Sequence, residues 1–317
     1  MTNAQIIRTV LGDIEPSQLG VLDYHEHLFQ RSPLLPGDEL DDEGRSGLEA
    51  QLLFDGGVAA IIDATPTGLG RDVEATARIS MNTDLTVIHT TGAHHGGHYA
   101  LGHPLLERTS KQLTELFLSD IRGGFRLDDG TPATTPDGRL IRAGIVKAGI
   151  RYWSIGAFEL RVLEAVAATS LATSCAIMVH LDYGSATHEV LDLLEALGVA
   201  ANRVVLAHID RNLDSGLHSD LAARGAYLGY DGMARHSEAP DSAILECLGR
   251  VVHSGGAERL LVGGDVARRS RYLGYGGMPG LEYLPKRFLP RLRDCIDEST
   301  YDLVTTGNGS RLLSMPE

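Results

Sequence analysis

The chain has 317 residues, more than most single domains but within the range that an α/β barrel occupies as one domain. Hydrophobic residues make up 43% of it and charged residues 22%, so it can bury a large core and is not expected to be disordered. The formal charge of −14 at pH 7 argues against nucleic acid or an anionic membrane as a partner.

The expected cellular compartment is inferred from the N-terminal sequence, the apolar runs and the cysteines. Residues 1–11 lack the basic region and apolar segment of a signal peptide, and no apolar run reaches the roughly 18 residues that a membrane span needs. Cys175, Cys247 and Cys295 are widely spaced and form no Cys-x-x-Cys pair, so we expect ordinary buried thiols in a reducing compartment. A soluble cytoplasmic protein is the expectation.

Short apolar runs rich in β-branched residues alternate with longer amphipathic stretches. We predict eight strands, at 21–28, 58–63, 85–90, 143–147, 175–180, 203–208, 226–230 and 260–264. Helical patterns occupy 104–122, 157–173, 188–197 and 241–253. In 157–173, for example, the apolar residues Leu160, Leu163 and Val166 recur at helical spacing.

This alternation predicts a parallel sheet, because parallel neighbours need crossover connections. Eight such units indicate an α/β fold of the (β/α)8 TIM-barrel type, with residues 1–317 as one domain. A doubly wound open sheet is the rival, but no Gly-rich phosphate loop follows the first strand. The Gly- and Pro-rich stretches 122–138 and 274–280 are predicted loops.

Potential metal ligands lie at the ends of five predicted strands. They are His25 and His27 in the first strand, Lys147 in the fourth, His180 in the fifth, His208 in the sixth and Asp265 after the eighth. In a barrel these strand ends meet at one face, where active sites are built. Residues at i and i+2 of a strand share a face, so His25 and His27 can bind one ion. A single histidine at a strand end is more often a core residue, but the repeated position favours a metal site.

Lys147 has two interpretations. Burial beside other cations lowers the pKa of a lysine, and the neutral amine could add carbon dioxide to give a carbamate that bridges two metals. Alternatively, the side chain reaches solvent or pairs with a carboxylate. The residues alone favour this second interpretation.

Several segments together resemble the phosphotriesterase family of the amidohydrolase superfamily, over nearly the whole chain. They are 9–12, 20–28 (GVLDYHEHL), 146–149, 179–180, 207–210 and 264–265. The resemblance implies a two-metal site holding divalent ions, usually zinc. It places His25, His27 and Asp265 on the buried metal, His180 and His208 on the more exposed one, and a carboxylated Lys147 between them. All six positions are present in this chain.

The mechanism implied by the resemblance is hydrolysis. Two cations roughly 3.5–4 Å apart share a water and lower its pKa toward about 7, which gives a bridging hydroxide at neutral pH. Asp265 would touch both metal and hydroxide, so it is the expected catalytic proton shuttle to the leaving group.

The loops after the seventh and eighth strands carry a basic cluster in an acidic protein. Arginine is suited to bidentate contacts with phosphate or carboxylate, although some of these side chains could be solvated or paired with acids. The loops resemble the family branch that hydrolyses sugar lactones, including phosphorylated furanose lactones, and one Trp with 5% aromatic residues favours a polar substrate. The residues predicted to bind substrate are Tyr99, Arg235, Arg268, Arg271 and Tyr272.

The loop 91–99 contains His94, His95 and His98. A further metal site is conceivable, but adjacent His94 and His95 on a Gly-rich loop cannot easily share one ion. Its family position lies beside the substrate, so Tyr99 or one histidine is expected to contact it; a solvated loop is the alternative.

The leading hypothesis is therefore a two-metal lactonase acting on a polar sugar lactone, phosphorylated or not. The second is the same site acting on an organophosphate, a carboxyl ester or an N-acyl amide. The third is a metal-binding protein without turnover, which the intact ligand set disfavours. The expected partner is a small-molecule lactone or ester, and family members are commonly homodimers.

Overall fold

The computed structural model describes residues 4–317, and most of its strands belong to one parallel sheet. In chain order the strands are β1 (Gln5–Thr9), β2 (Gly12–Ile14), β3 (Leu22–Glu26), β4 (Ala60–Asp63), β5 (Thr86–Gly92), β6 (Ile145–Ile150), β7 (Ala176–Leu181), β8 (Val204–Ala207), β9 (Tyr227–Tyr230), β10 (Leu260–Val262) and β11 (Met315–Pro316). Strands β3 to β10 form the sheet, each parallel to the next. All eight predicted strands are present, with shifted ends.

The two edges of this sheet meet between β10 and β3. The backbone N–H of Asp265, just beyond β10, donates to the carbonyl of His25 on β3 over 2.8 Å. The N–H of Gly264 donates to the carboxylate of Asp23 on the same strand over 3.1 Å. These bonds hold the sheet as a nearly closed barrel. The predicted (β/α)8 TIM barrel is confirmed, and the open-sheet rival is not observed.

One α-helix lies in each of the seven connections between barrel strands, and three more follow β10. They are α1 (Glu43–Asp55), α2 (Val73–Thr83), α3 (Ser110–Arg122), α4 (Ala157–Thr173), α5 (Thr187–Ala196), α6 (Ser215–Arg224), α7 (Asp241–His253), α8 (Leu289–Cys295), α9 (Glu298–Asp302) and α10 (Asn308–Leu313). The predicted helix 104–122 begins instead as a 3-10 turn, Pro104–Glu107. Its α-helix starts at Ser110 because Thr109 and Gln112 form a capping box, which satisfies two otherwise unpaired N–H groups.

The core has two layers because alternate strand residues point to opposite faces. Inside the barrel, Ile62, Ile88, Ile145 and Met178 are among the fully buried apolar side chains that fill the space between the strands. The outward-facing side chains of the same strands, such as Val146 on β6, pack against the helices in a second, larger cluster. The barrel interior is therefore a packed core, and open space is confined to its end.

Some details differ from the sequence-based expectations. Strands β1, β2 and β11 form a small antiparallel sheet that was not predicted, since segments this short carry no clear periodicity. Cys175 and Cys247 are buried free thiols as expected, but Cys295 is exposed, so that prediction is wrong for Cys295. Within residues 4–317, no helix is both long and apolar enough to cross a membrane.

Gly92 ends β5 at the point where this strand pairs with Lys147 on β6. Its φ of +107° is one that L side chains rarely adopt, and a Cβ there would collide with the Lys147 carbonyl. Gly138 also has a positive φ, of +84°, but nothing lies within 4 Å of a Cβ at that position.

We expect Gly92→Ala to lower the free energy of unfolding by about 2–4 kcal/mol, because steric overlap adds to backbone strain. Gly138→Ala is the matched control and should cost about 1 kcal/mol, from backbone strain alone. Urea denaturation followed by circular dichroism measures both. Equal losses in the two variants would contradict a steric role for the contact with Lys147.

Candidate functional site

A cavity of about 470 Å³ opens at the carboxyl ends of the barrel strands. It is lined by all six residues predicted as metal ligands, His25, His27, Lys147, His180, His208 and Asp265. They come from β3, β6 and β7 and from the residues that follow β3, β8 and β10. The strand order of the barrel brings them together from distant parts of the chain.

The first group of potential ligands joins the start of the barrel to its end. Ligand atoms of His25, His27 and Asp265 all lie within 4.8 Å of one another. The Oδ1 atom of Asp265 is 3.9 Å from Nε2 of His25 and 3.8 Å from Nε2 of His27. Two imidazole nitrogens and a carboxylate oxygen at such separations form a donor set suited to a divalent transition metal.

The second group lies on β7 and directly after β8. Nδ1 of His180 and Nε2 of His208 are 2.7 Å apart, so both rings aim a nitrogen at the same space. His208 has a positive φ of 62°, a conformation that is uncommon outside glycine and that turns its ring into the cavity.

Lys147 lies beside the first group, with its side chain 1% exposed. Its Nζ is 3.3 Å from Nε2 of His25 and donates to the carbonyl of Ala64 over 2.9 Å. Burial lowers the pKa of Lys147 to about 8, although the Asp265 carboxylate acts in the opposite direction. Neither solvent exposure nor a salt bridge is found for Lys147 among residues 4–317, so a partly neutral amine faces the other ligands.

Carboxylates and a hydroxyl orient the four histidine rings. Oδ1 of Asp231 is 2.8 Å from Nδ1 of His208, and its Oδ2 is 3.3 Å from Nδ1 of His25. In the same way, Oδ1 of Asp182 is 2.8 Å from Nε2 of His180. An acceptor on one ring nitrogen fixes the proton there, which leaves the other nitrogen with a lone pair for a metal.

His27 follows the same rule with a different partner. Its Nδ1 is 2.7 Å from Oγ1 of Thr65, and that hydroxyl donates its own proton to the carbonyl of Phe29. Thr65 therefore accepts from His27, and Nε2 of His27 keeps its lone pair. All four rings thus present lone pairs to the cavity, so the residues in place are chemically suited to hold two divalent ions.

Asp265 remains ionised despite its surroundings. Burial alone would raise its pKa, but the Arg235 guanidinium and the neighbouring His208 and His25 hold the pKa well below the usual range. Arg235 forms an ion pair with the Asp265 carboxylate, and Nη2 of Arg211 lies 3.3 Å from it. The carboxylate is thus ionised and available as a metal ligand.

The predicted substrate contacts occupy different positions. Arg235 and Arg268 line the cavity, and the Arg268 side chain is 47% exposed at its mouth. Tyr99, Arg271 and Tyr272 are not among the described residues that line the cavity. Both tyrosine side chains are buried, and each hydroxyl has a backbone acceptor. The hydroxyl of Tyr99 donates to the Thr67 carbonyl, and that of Tyr272 donates to the His27 carbonyl. For these three residues a substrate contact stays a prediction.

Asp231 and Asp182, which orient the ligand rings, were missed in the sequence. The signal was present: Asp231 directly follows β9, and Asp182 follows the last residue of β7. Both occupy the same relative position as the predicted ligands. The loop 91–99 also differs from a solvated loop, because His94, His95 and His98 all line the cavity.

Comparison with known proteins agrees with this geometry. The sequence model of the phosphotriesterase family matches residues 5–313. A phospho-furanose lactonase from Mycoplasmopsis synoviae is 28% identical, over 98% of this chain and 92% of its own. An N-acetyltaurine hydrolase from Danio rerio is 27% identical, over 97% of both chains.

Among solved structures, the lactonase from Listeria monocytogenes superimposes with a TM-score of 0.88 at 29% identity. The match covers 98% of this chain and 100% of that one. The predicted family is confirmed along nearly the whole chain, together with its hydrolytic chemistry. The chain belongs to the phosphotriesterase family of metal-dependent hydrolases.

Proposed function

We propose that this protein is a lactonase with two divalent metal ions that opens a polar sugar lactone, phosphorylated or free. The observation that carries the proposal is the convergence of six ligand side chains from separate strand ends on one cavity. The phospho-furanose lactonase of Mycoplasmopsis synoviae and the lactonase of Listeria monocytogenes support the choice of bond. We further propose that residues 1–317 act as one domain, in the cytoplasm, as a homodimer.

We assign the two metals to zinc. His25, His27 and Asp265 would hold one ion, and His180 and His208 the other, with Lys147 carboxylated between them. The nitrogen-rich donor set and the lone pairs left free by Asp231, Asp182 and Thr65 favour zinc over magnesium or calcium. When bound, the ions would supply Lewis acidity, which lowers the pKa of an attacking water and polarises the scissile bond.

The residues of the chain itself move the proton. The Asp265 carboxylate, kept ionised by Arg235, would accept the proton of the attacking water at Oδ1. It would then pass this proton to the ring oxygen of the lactone as the carbon–oxygen bond breaks. Ring opening yields a hydroxy acid, so the proton taken from water ends on the new hydroxyl group.

The walls of the cavity favour a polar substrate. The arginines that line the cavity together with the six proposed ligands are Arg151, Arg211, Arg235 and Arg268. Guanidinium groups offer paired donors to phosphate or carboxylate oxygens. Among residues 4–317, Tyr183 is the single Phe, Tyr or Trp that lines the cavity. This composition disfavours a pocket for an aromatic leaving group. The runner-up is an N-acyl amide substrate, which the N-acetyltaurine hydrolase of Danio rerio supports.

A substrate panel tests the proposal. The zinc-loaded protein should hydrolyse furanose lactones, with and without a phosphate group, at least about tenfold more efficiently in kcat/KM than an N-acyl amide or a phosphotriester. A pH-stat assay measures lactone opening. Turnover of the amide alone would establish the runner-up, and turnover of the triester alone would contradict both choices.

The proposed bridge predicts the metal content. The wild-type protein should retain about two zinc ions per chain after dialysis, as two-metal hydrolases do. Lys147→Met keeps the buried volume but cannot be carboxylated, so we expect metal content to fall by more than half. Elemental analysis measures this, with the exposed Lys111→Met as the control. Unchanged metal in a folded Lys147→Met protein would remove the bridging role.

The proposed proton transfer predicts separate effects on binding and turnover. Asp265→Asn retains an oxygen ligand but cannot accept a proton, so kcat should fall about 10²–10⁴-fold while at least half of the metal stays bound. Asp192→Asn, on the surface of α5, is the matched control and should leave both unchanged. A near-normal kcat in Asp265→Asn would assign proton transfer to another group.

A further inference from the structure

The loop after β5 places three histidines on one wall of the cavity. His94 and His95 are buried, with 6% and 4% exposure, and His98 is partly buried. Ring nitrogens of the three side chains lie within 4.8 Å of one another. The rings of His94 and His180 are 4.2 Å apart between centroids, so the cluster borders the proposed metal centre. We call these three residues the loop histidines.

The Nδ1 atoms of the loop histidines are engaged by hydrogen-bond donors. The backbone N–H of His95 donates to Nδ1 of His94 over 2.9 Å, and that of Gly97 donates to Nδ1 of His95 over 3.2 Å. Backbone N–H groups can only donate, so both Nδ1 atoms are acceptors.

His98 follows the same pattern through Ser32, whose Oγ lies 2.9 Å from its Nδ1. That oxygen already accepts from the backbone N–H of Leu34 at 3.2 Å. We infer that its hydroxyl proton is donated to the ring nitrogen at 2.9 Å rather than to the His98 carbonyl, which is 3.5 Å away. Within residues 4–317, the Nε2 atoms of the loop histidines have no hydrogen-bond partner.

The consequence is a tautomer opposite to that of two of the proposed metal ligands, His27 and His208. A neutral imidazole with an accepting Nδ1 carries its proton on Nε2. The metal ligands His27 and His208 face acceptors at Nδ1 and keep a lone pair on Nε2. The loop histidines instead present N–H groups to the cavity, and an N–H group repels a metal but binds an anionic oxygen.

We propose that the loop histidines form a binding site for an oxyanion, the phosphate or carboxylate group of the substrate or product. This inference rests on the proposed function for the identity of its ligand, but its geometry is independent of it. The site lies on the wall formed by the loop after β5, whereas Arg235 and Arg268 belong to the loops after β9 and β10.

The charges around the cluster are compatible with an anion. Arg151 lines the same cavity, and Lys147 lies beside it. Two carboxylates lie near the cluster. Asp182 is 3.9 Å from Nε2 of His95, but it accepts from the His180 ring and from the backbone N–H of Tyr152, and the buried Glu159 accepts from the backbone N–H of Gly96. An anion would therefore contact the His94 and His98 side of the cluster.

The position of the loop is fixed by its neighbour β6. A Cβ at Gly149 would lie 2.8 Å from the His95 nitrogen and 3.0 Å from Nδ1 of His94. Glycine at this position lets the loop backbone pack against the strand. The backbone N–H groups that donate to the Nδ1 atoms are thus held in place before a ligand arrives. This lowers the entropic cost of binding.

The test is calorimetric titration of the zinc-loaded protein with inorganic phosphate and with acetate, in wild type, His98→Leu and His98→Gln. His98→Leu removes one charge-assisted hydrogen bond, so phosphate affinity should fall about tenfold or more. His98→Gln retains an N–H group near the same place and should stay within about threefold. His253→Leu, at the end of α7, is the control. Loss for phosphate alone supports a phosphoryl ligand, and loss for both supports a carboxylate.

Two results would overturn the proposal. One is unchanged phosphate affinity in a His98→Leu protein whose thermal unfolding matches wild type. The other is a lower zinc content in His98→Leu, which would make the cluster a third metal site. Because binding is measured without turnover, a protein inactive on every lactone could still bind phosphate through His98. Failure of the proposed function is thereby distinguishable from failure of this site.

Discussion

The constraint on which the site depends is the closure of a parallel sheet. In an open parallel sheet, His25 on β3 and Asp265 after β10 would lie at opposite edges. Closure joins these edges through the bond from the Asp265 N–H to the His25 carbonyl. Because all eight strands run in one direction, their carboxyl ends form a single ring. The six side chains proposed as ligands therefore need only lie at strand ends to face one another.

Within that ring, hydrogen-bond partners decide what each histidine does. The site contains two sets of imidazoles a few ångströms apart with the same intrinsic chemistry. Acceptors such as Asp231 and Thr65 make one set electron-pair donors, and backbone N–H groups make His94 and His95 proton donors. A mixed cavity of this kind can bind cations and the oxygens that react on them side by side.

The sequence was informative where periodicity and position carry the signal. The eight strands and the polar residues at their ends follow from the apolar runs, whereas a ligand role for Lys147 came only from the family resemblance. The buried hydrogen bonds of Tyr99 and Tyr272 were not foreseen, because sequence gives a residue's loop but not its side-chain direction. Asp231 and Asp182 were missed because an orienting carboxylate has no motif of its own. The loop histidines looked unable to cooperate, since only the folded loop reveals which nitrogen of each ring is engaged.

The seam between β3 and β10 also has a consequence for how the protein is made. His25 and His27 leave the ribosome early, whereas Asp265 is synthesised near the end of the chain. Contacts between such distant segments form slowly, because a long loop must be ordered first. During translation the nascent chain holds an incomplete set of chelating side chains. The complete set of six proposed ligands is assembled only when the last barrel strand docks, so we expect metal binding to follow closure of the barrel.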